Sequence, residues 1–161
     1  MLKKLDRAWI TGHIPHRGSM CLLDAVEAWD HERIECRASS HRAADNPLRA
    51  RGRLGAACGI EYAAQAMAVH GALLAPPAGR PRLGYLVSVR GTRLHVPRLD
   101  DIAADLRVEA VCITHNENQI LYRFSVGAAG RVLIDGRAAV VLDAAELVPW
   151  LKPMPAAGEA P

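Results

Sequence analysis

A long helical segment, residues 52–74, dominates this sequence of 161 residues. The segment is rich in Ala, Leu and Met and contains no proline, while Pro76 and Pro77 stop it on its C-terminal side. Small residues occur on both of its faces, which predicts a helix that the rest of the protein encloses and approaches closely. A carboxylate, Glu61, lies inside this apolar segment. It must therefore be paired, neutral or open to a ligand cavity.

Strand patterns flank the helical segment on both sides. Before it, an apolar run and an alternating run predict an antiparallel pair that turns near Asp30. After it come four strand-like segments separated by polar or Gly-containing turns, at residues 83–96, 104–114, 119–128 and 131–142, which we expect to form a meander. Runs of strands on either side of a single helix favour an α+β fold. We expect about six antiparallel strands wrapped around one central helix.

The composition argues against several classes of protein. No segment approaches the ~20 apolar residues that cross a bilayer, so we expect no membrane span. A net charge of +3 with 4% aromatic residues does not favour nucleic-acid binding. The four cysteines are scattered without a C-x-x-C pair, which predicts reduced thiols, no metal site and a cytoplasmic location. We expect a single domain over residues 1–151, with a short closing helix at 144–151, and a flexible tail at 152–161.

Three segments carry motifs in a recognisable order. Residues 14–17 read IPHR and residues 20–24 read MCLLD; residues 60–68 read IEYAAQAMA; residues 84–106 have the pattern of a strand, a turn and a strand. Together they resemble the β-hydroxyacyl-acyl-carrier-protein dehydratase family, and most closely the dehydratase-like subunit of aryl-polyene pathways. The resemblance implies the hotdog fold, an antiparallel sheet wrapped around one long helix, usually in a dimer that shares its active site.

The same resemblance implies roles for residues on and before the helix. Glu61 is the acid that protonates the leaving hydroxyl, and Gln65, four residues later, orients it. The histidine that serves the family as base lies 14 residues before this glutamate, where the present chain has Pro47. We therefore expect Asn46 to serve there as a polar positioning group, and His41 to act as a substitute base through a shifted loop.

His16 and Arg17 belong to the N-terminal motif, for which the resemblance implies a structural role. With the usual base missing, three functions stay open. The first is dehydration of a 3-hydroxyacyl thioester in fatty-acid or polyene synthesis. The second is an acyl thioesterase of the same fold, in which the helix carboxylate activates water or attacks directly. The third is a non-catalytic subunit that pairs with an active homologue.

The expected partners follow from the first of these functions. They are an acyl carrier protein and a second hotdog subunit, either identical or different. We expect no cofactor, because the phosphopantetheine arm of the carrier protein holds the substrate.

Overall fold

The computed structural model describes residues 4–77 and 83–142. The closing helix predicted at 144–151 and the tail predicted at 152–161 lie outside the described residues. Within them, two α-helices and seven strands follow one another along the chain: β1 (Leu5–Asp6), α1 (Arg7–His13), β2 (Ala25–Trp29), β3 (Arg33–Ala38), α2 (Gly59–Leu74), β4 (Gly84–Leu94), β5 (Leu106–His115), β6 (Gln119–Ala128) and β7 (Arg131–Leu142).

The seven strands form one antiparallel sheet in the order β1-β2-β3-β5-β6-β7-β4. Helix α2 packs against the sheet, with contacts to β3, β5 and β6. The predicted α+β fold of the hotdog type is confirmed. The last four strands were expected to follow one another as a meander, but β4 lies beyond β7, at the edge of the sheet. The order of strands within a sheet cannot be deduced from their order along the sequence.

The central helix begins later than predicted, at Gly59 rather than near residue 52. The chain turns sharply before it, because Arg51 and Gly52 both adopt positive φ angles of 52° and 74°. Glycine reaches this region freely, whereas arginine does so at a cost. A distant residue stabilises the turn's exit, since a carboxylate oxygen of Asp100 accepts the backbone N–H of Leu54 at 2.9 Å.

The core fills the space between α2 and the inner face of the sheet. Its largest fully buried side chains include Tyr62 from the helix and Tyr122 and Phe124 from β6. His70, also fully buried, has both ring nitrogens satisfied. Its Nε2 donates to the carbonyl of Asp30 at 2.9 Å, and the Tyr122 hydroxyl donates to its Nδ1 at 3.0 Å. Burial lowers the pKa of His70, so the neutral ring is the stable form.

Candidate active site

The carboxylate of the central helix meets a histidine from the N-terminal loop. Glu61 lies in the first turn of α2, and its Oε1 is 3.2 Å from Nε2 of His16. Both side chains are partly exposed, 32% for Glu61 and 26% for His16. The pairing explains how an ionisable group is accommodated in an apolar helix, because Glu61 has a polar partner and also faces an open cavity.

The loop that carries His16 is tied down by its neighbour Arg17. The guanidinium of Arg17 donates to the backbone carbonyls of Thr11 at 2.7 Å, Ile14 at 2.5 Å and His16 itself at 3.2 Å. All three carbonyls lie around one nitrogen, Nη1, and share its two N–H groups. Arg17 thus holds the turn after α1 in the conformation that directs the imidazole towards α2.

A glutamine joins the same loop to the helix. Gln65 is fully buried, and its Oε1 accepts the backbone N–H of Leu22 at 2.9 Å. Its Nε2 must then face the other way, where it donates to the carbonyl of Met20 at 2.8 Å and to Glu61 Oε1 at 2.9 Å. Oε1 of Glu61 therefore lies close to two nitrogens. Its Oε2 has no hydrogen-bond partner among the described residues and remains available to a ligand.

An apolar cavity of about 320 Å³ extends from this pair. Such a volume lies at the lower end of the range for small-molecule sites, roughly 300–1,000 Å³. One wall is the exposed side of α2, which carries only small side chains beyond Glu61 apart from Met67. The opposite wall comes from the edge of the sheet, and the lining includes Ala64, Ala68, Gly71, Ala72, Ala75, Gly84, Tyr85, Leu86, Ile120, Tyr122, Val140 and Leu142.

The other two predicted site residues lie outside this cavity. Asn46 is nearly buried and organises its own loop: its amide nitrogen donates to the Ser40 carbonyl at 2.9 Å and to the Tyr62 hydroxyl at 3.1 Å. His41 is fully buried, with its Nε2 3.0 Å from the carbonyl of Ile102. Burial lowers the pKa of His41. Within this chain neither residue reaches Glu61, so their catalytic roles stay predictions.

His16 is the residue whose proximity to Glu61 the sequence did not predict. It is 45 positions before Glu61 in the sequence, and the N-terminal motif that contains it was assigned a structural role. No local pattern links the two residues. The link is made by Gln65, whose side chain bonds the segment just after His16. The sequence signal for this link was the glutamine four residues after the helix glutamate. That spacing indicated that Gln65 orients Glu61, but it did not indicate which loop Gln65 would bind.

The described residues contain neither a metal-binding cluster nor a membrane-spanning helix. No group of three or more His, Cys, Asp or Glu side chains there is arranged to hold a metal ion. No helix within residues 4–77 and 83–142 has the length and apolar character to cross a membrane.

Comparison with known proteins gives one family match. The family model ApeP-like, described as ApeP dehydratase, matches residues 9–149. No curated protein matches the chain. Among solved structures, the chain is similar to the dehydratase heterocomplex ApeI:P from Xenorhabdus doucetiae, with 22% identity, a TM-score of 0.74 and coverage of 89% of this chain and 97% of that chain.

Two thioesterase structures are also similar to the chain. One is a mutant thioesterase from Pseudomonas aeruginosa, with 14% identity, a TM-score of 0.54 and coverage of 73% of this chain and 78% of that chain. The other is a hypothetical thioesterase with coenzyme A from Streptococcus pneumoniae, with 10% identity, a TM-score of 0.54 and coverage of 73% and 83%. At such identities these structures support the fold alone.

Proposed function

The chain belongs to the ApeP-like dehydratase family, and we propose that it removes water from a 3-hydroxyacyl thioester carried by an acyl carrier protein. The observation that carries this proposal is the contact between His16 and Glu61 at the end of an apolar cavity. Dehydration needs a base for the proton next to the thioester carbonyl and an acid for the departing hydroxyl. The pair supplies one group for each task.

The reaction balances with a single proton held by the pair. In the reactive state the pair holds one proton, on Oε2 of Glu61, and the Nε2 lone pair of His16 points to the substrate rather than to Oε1. Nε2 of His16 takes the proton from the α-carbon, and the electron pair of that C–H bond forms the new double bond. The bond from the β-carbon to oxygen breaks, and the proton of Glu61 converts the departing hydroxyl into water. Nε2–H of His16 then turns back to the carboxylate, 3.2 Å away in the structure, and returns its proton to Glu61, which restores both groups.

The rest of the cavity suits the acyl chain of such a substrate. Its lining is predominantly aliphatic and aromatic beyond the pair, and burying each methylene of a chain there gains about 0.8 kcal/mol. Glu61 and His16 are polar groups at one end of this apolar volume. A thioester whose β-carbon lies at the pair would place its hydrocarbon part along α2.

We also propose that a second hotdog subunit pairs along β4. This strand is 11 residues long and forms one edge of the sheet, paired only with β7 among the described strands. Leu86, Val87 and Leu94 on it are exposed by 40%, 52% and 51%. A long exposed apolar edge is a template for pairing with another strand. The similarity to a structure described as a dehydratase heterocomplex supports a non-identical partner.

Hydrolysis of the thioester is the second candidate, and the free Oε2 of Glu61 is the feature that favours it. A carboxylate in that position can activate a water molecule without help from a histidine. Hydrolysis by Glu61 alone does not use the direct contact between Glu61 and His16. The geometry therefore favours dehydration.

Mass spectrometry of a 3-hydroxyacyl carrier protein separates these functions. Loss of one water from the acyl group is expected with the wild-type chain, alone or with its partner subunit, and strong loss of activity in Glu61→Gln. His31→Asn is the matched control, because His31 is exposed and lies outside the cavity. Release of free hydroxy acid would instead indicate a thioesterase. Dehydration by the complex that is unchanged in Glu61→Gln would make this chain the non-catalytic subunit.

A further inference from the structure

Three arginines stand side by side on neighbouring strands of the sheet. Arg90 of β4 is directly opposite Arg137 of β7, and Arg137 is directly opposite Arg123 of β6. All three are exposed. We call Arg90, Arg137 and Arg123 the arginine ladder. Since adjacent strands are about 4.8 Å apart, the ladder places three positive charges within roughly 10 Å.

The ladder is on the outer face of the sheet, away from α2. Successive side chains of a strand point to opposite faces. Tyr122 and Phe124, on either side of Arg123, are buried in the core, and so is Ala138, next to Arg137. The arginines must therefore project from the opposite face. The ladder is thus separate from the cavity that contains Glu61, and an inference about it does not rest on the proposed reaction.

Like charges directly opposite each other on a sheet are destabilising, and nothing in the described residues compensates for them here. None of the three arginines forms an ion pair with any residue that the structure describes. The acid nearest in register, Asp135, is engaged by Arg93 at 3.1 Å and by His95 at 2.7 Å. Burial is not the reason for the arrangement either, because the side chains are exposed.

Arginines on the outer faces of β3 and β5 are paired with acids. On β5, Arg107 lies 2.6 Å from Glu35 of the neighbouring strand. Placement of opposite charges across strands is therefore usual in this sheet, and the ladder departs from it. Exposed like charges held in register form a positive patch that can attract a negatively charged partner.

We propose that the arginine ladder binds an acidic α-helix of a partner protein. Carboxylates at positions i, i+4 and i+7 of a helix share one face and lie about 0, 6 and 10.5 Å along its axis. The total span of about 10.5 Å is close to the roughly 9.6 Å between the outer strands of the ladder. A helix lying across β6, β7 and β4 would thus place one carboxylate against each arginine.

Other acidic partners fit the ladder less well. In an extended peptide, residues on one face repeat about every 6.6 Å, so carboxylates lose register with arginines spaced 4.8 Å apart. Single-stranded nucleic acid is usually bound through aromatic stacking as well as positive charge. The neighbours that flank Arg137 on the same face are Asp135 and Ala139, one acidic and one small, which offer no such platform.

Two peptides of equal composition provide the test. Each is a helical 15-residue peptide with three glutamates, placed at i, i+4 and i+7 in one and at i, i+5 and i+10 in the other, which spreads the charges around the helix. We expect the first peptide to shift the backbone NMR signals of the ladder strands and the second to bind more weakly. Arg137→Gln should weaken binding of the first peptide by about fivefold, the upper range for one exposed ion pair.

Stability measurements complete the test without any ligand. Added salt should raise the melting temperature of the wild type by screening the ladder, and Arg137→Gln should raise it at low salt and reduce the response to salt. Arg53→Gln is the control, because Arg53 is exposed and has no acidic partner among the described residues. Equal binding of both peptides, equal effects of the two substitutions, or preferential binding of a single-stranded oligonucleotide at the ladder would each overturn the proposal.

Discussion

Gly71 should determine how long an acyl chain the cavity accepts. It lies ten residues after Glu61 on the side of α2 that faces the cavity, which is about 15 Å along the helix axis. An extended chain advances about 1.2 Å per bond, so Gly71 is roughly twelve bonds from the pair. A Cβ built on Gly71 meets no atom within 4 Å. A side chain introduced there would have open space at its Cβ and would begin on the wall of the cavity.

Gly71→Leu is therefore expected to fold and to shorten the accepted substrate. Replacing a helical glycine removes a penalty of about 1 kcal/mol, so the variant should be slightly more stable than the wild type. If the leucine excludes four methylenes, long-chain substrates lose about 3 kcal/mol, or about two orders of magnitude in kcat/KM. Substrates of about four to eight carbons end before Gly71 and should be unaffected.

The assay is dehydration of carrier-bound substrates of graded length, together with binding of saturated acyl analogues of the same lengths. Gly71→Ala is the matched control, because it changes helix propensity while filling little of the cavity. Uniform loss of binding at all lengths, or no loss at any length, would refute the placement of the chain along α2. The analogues keep this result independent of whether the protein proves to be a dehydratase.

Three further predictions concern stability and positioning. Burial lowers the pKa of His41 and His70 below the ordinary 6.5, so the unfolded chain binds protons more readily than the folded protein. The free energy of unfolding, measured with denaturant, should therefore be highest above about pH 6.5 and decline below it. A free energy of unfolding that does not change with pH would contradict this. Gln65→Ala should lower the free energy of unfolding by about 1–3 kcal/mol, because it leaves buried backbone groups unpaired. It should also lower kcat more than it changes KM. An unchanged kcat would show that Gln65 does not position Glu61 for the reaction. Gly59→Ala should lower the free energy of unfolding in urea by about 1–3 kcal/mol, because the added Cβ would lie 2.8 Å from the side chain of Ile134. An unchanged free energy of unfolding would show that the core relaxes around this position.

Local patterns in the sequence were sufficient for most of the elements. Strands β6 and β7 have the predicted bounds, because alternation and Gly-containing turns mark both ends. The central helix ends where the two prolines predicted, but its start was placed too early, because the turn at Arg51 and Gly52 depends on tertiary contacts. The position of β4 beside β7 is likewise a property of the assembled sheet.

The part of the candidate site that lies on one helix was predictable from the sequence. Glu61 and Gln65 are one turn apart, and their hydrogen bond follows from that spacing. His16 comes from another part of the chain, and its approach to Glu61 depends on Arg17 and on the buried bonds of Gln65. The family match confirms the resemblance on which the dehydratase reading rested.

We propose that His16 and Glu61 act as a pair on one substrate. The measurement that tests it most directly follows deuterium from heavy water into the α-carbon of a 3-hydroxyacyl carrier protein during dehydration and its reversal. The wild type, with its partner subunit if one is needed, should label this carbon and form the enoyl product. His16→Asn should do neither, while His31→Asn should match the wild type. Labelling and product formation that persist in His16→Asn would contradict the account.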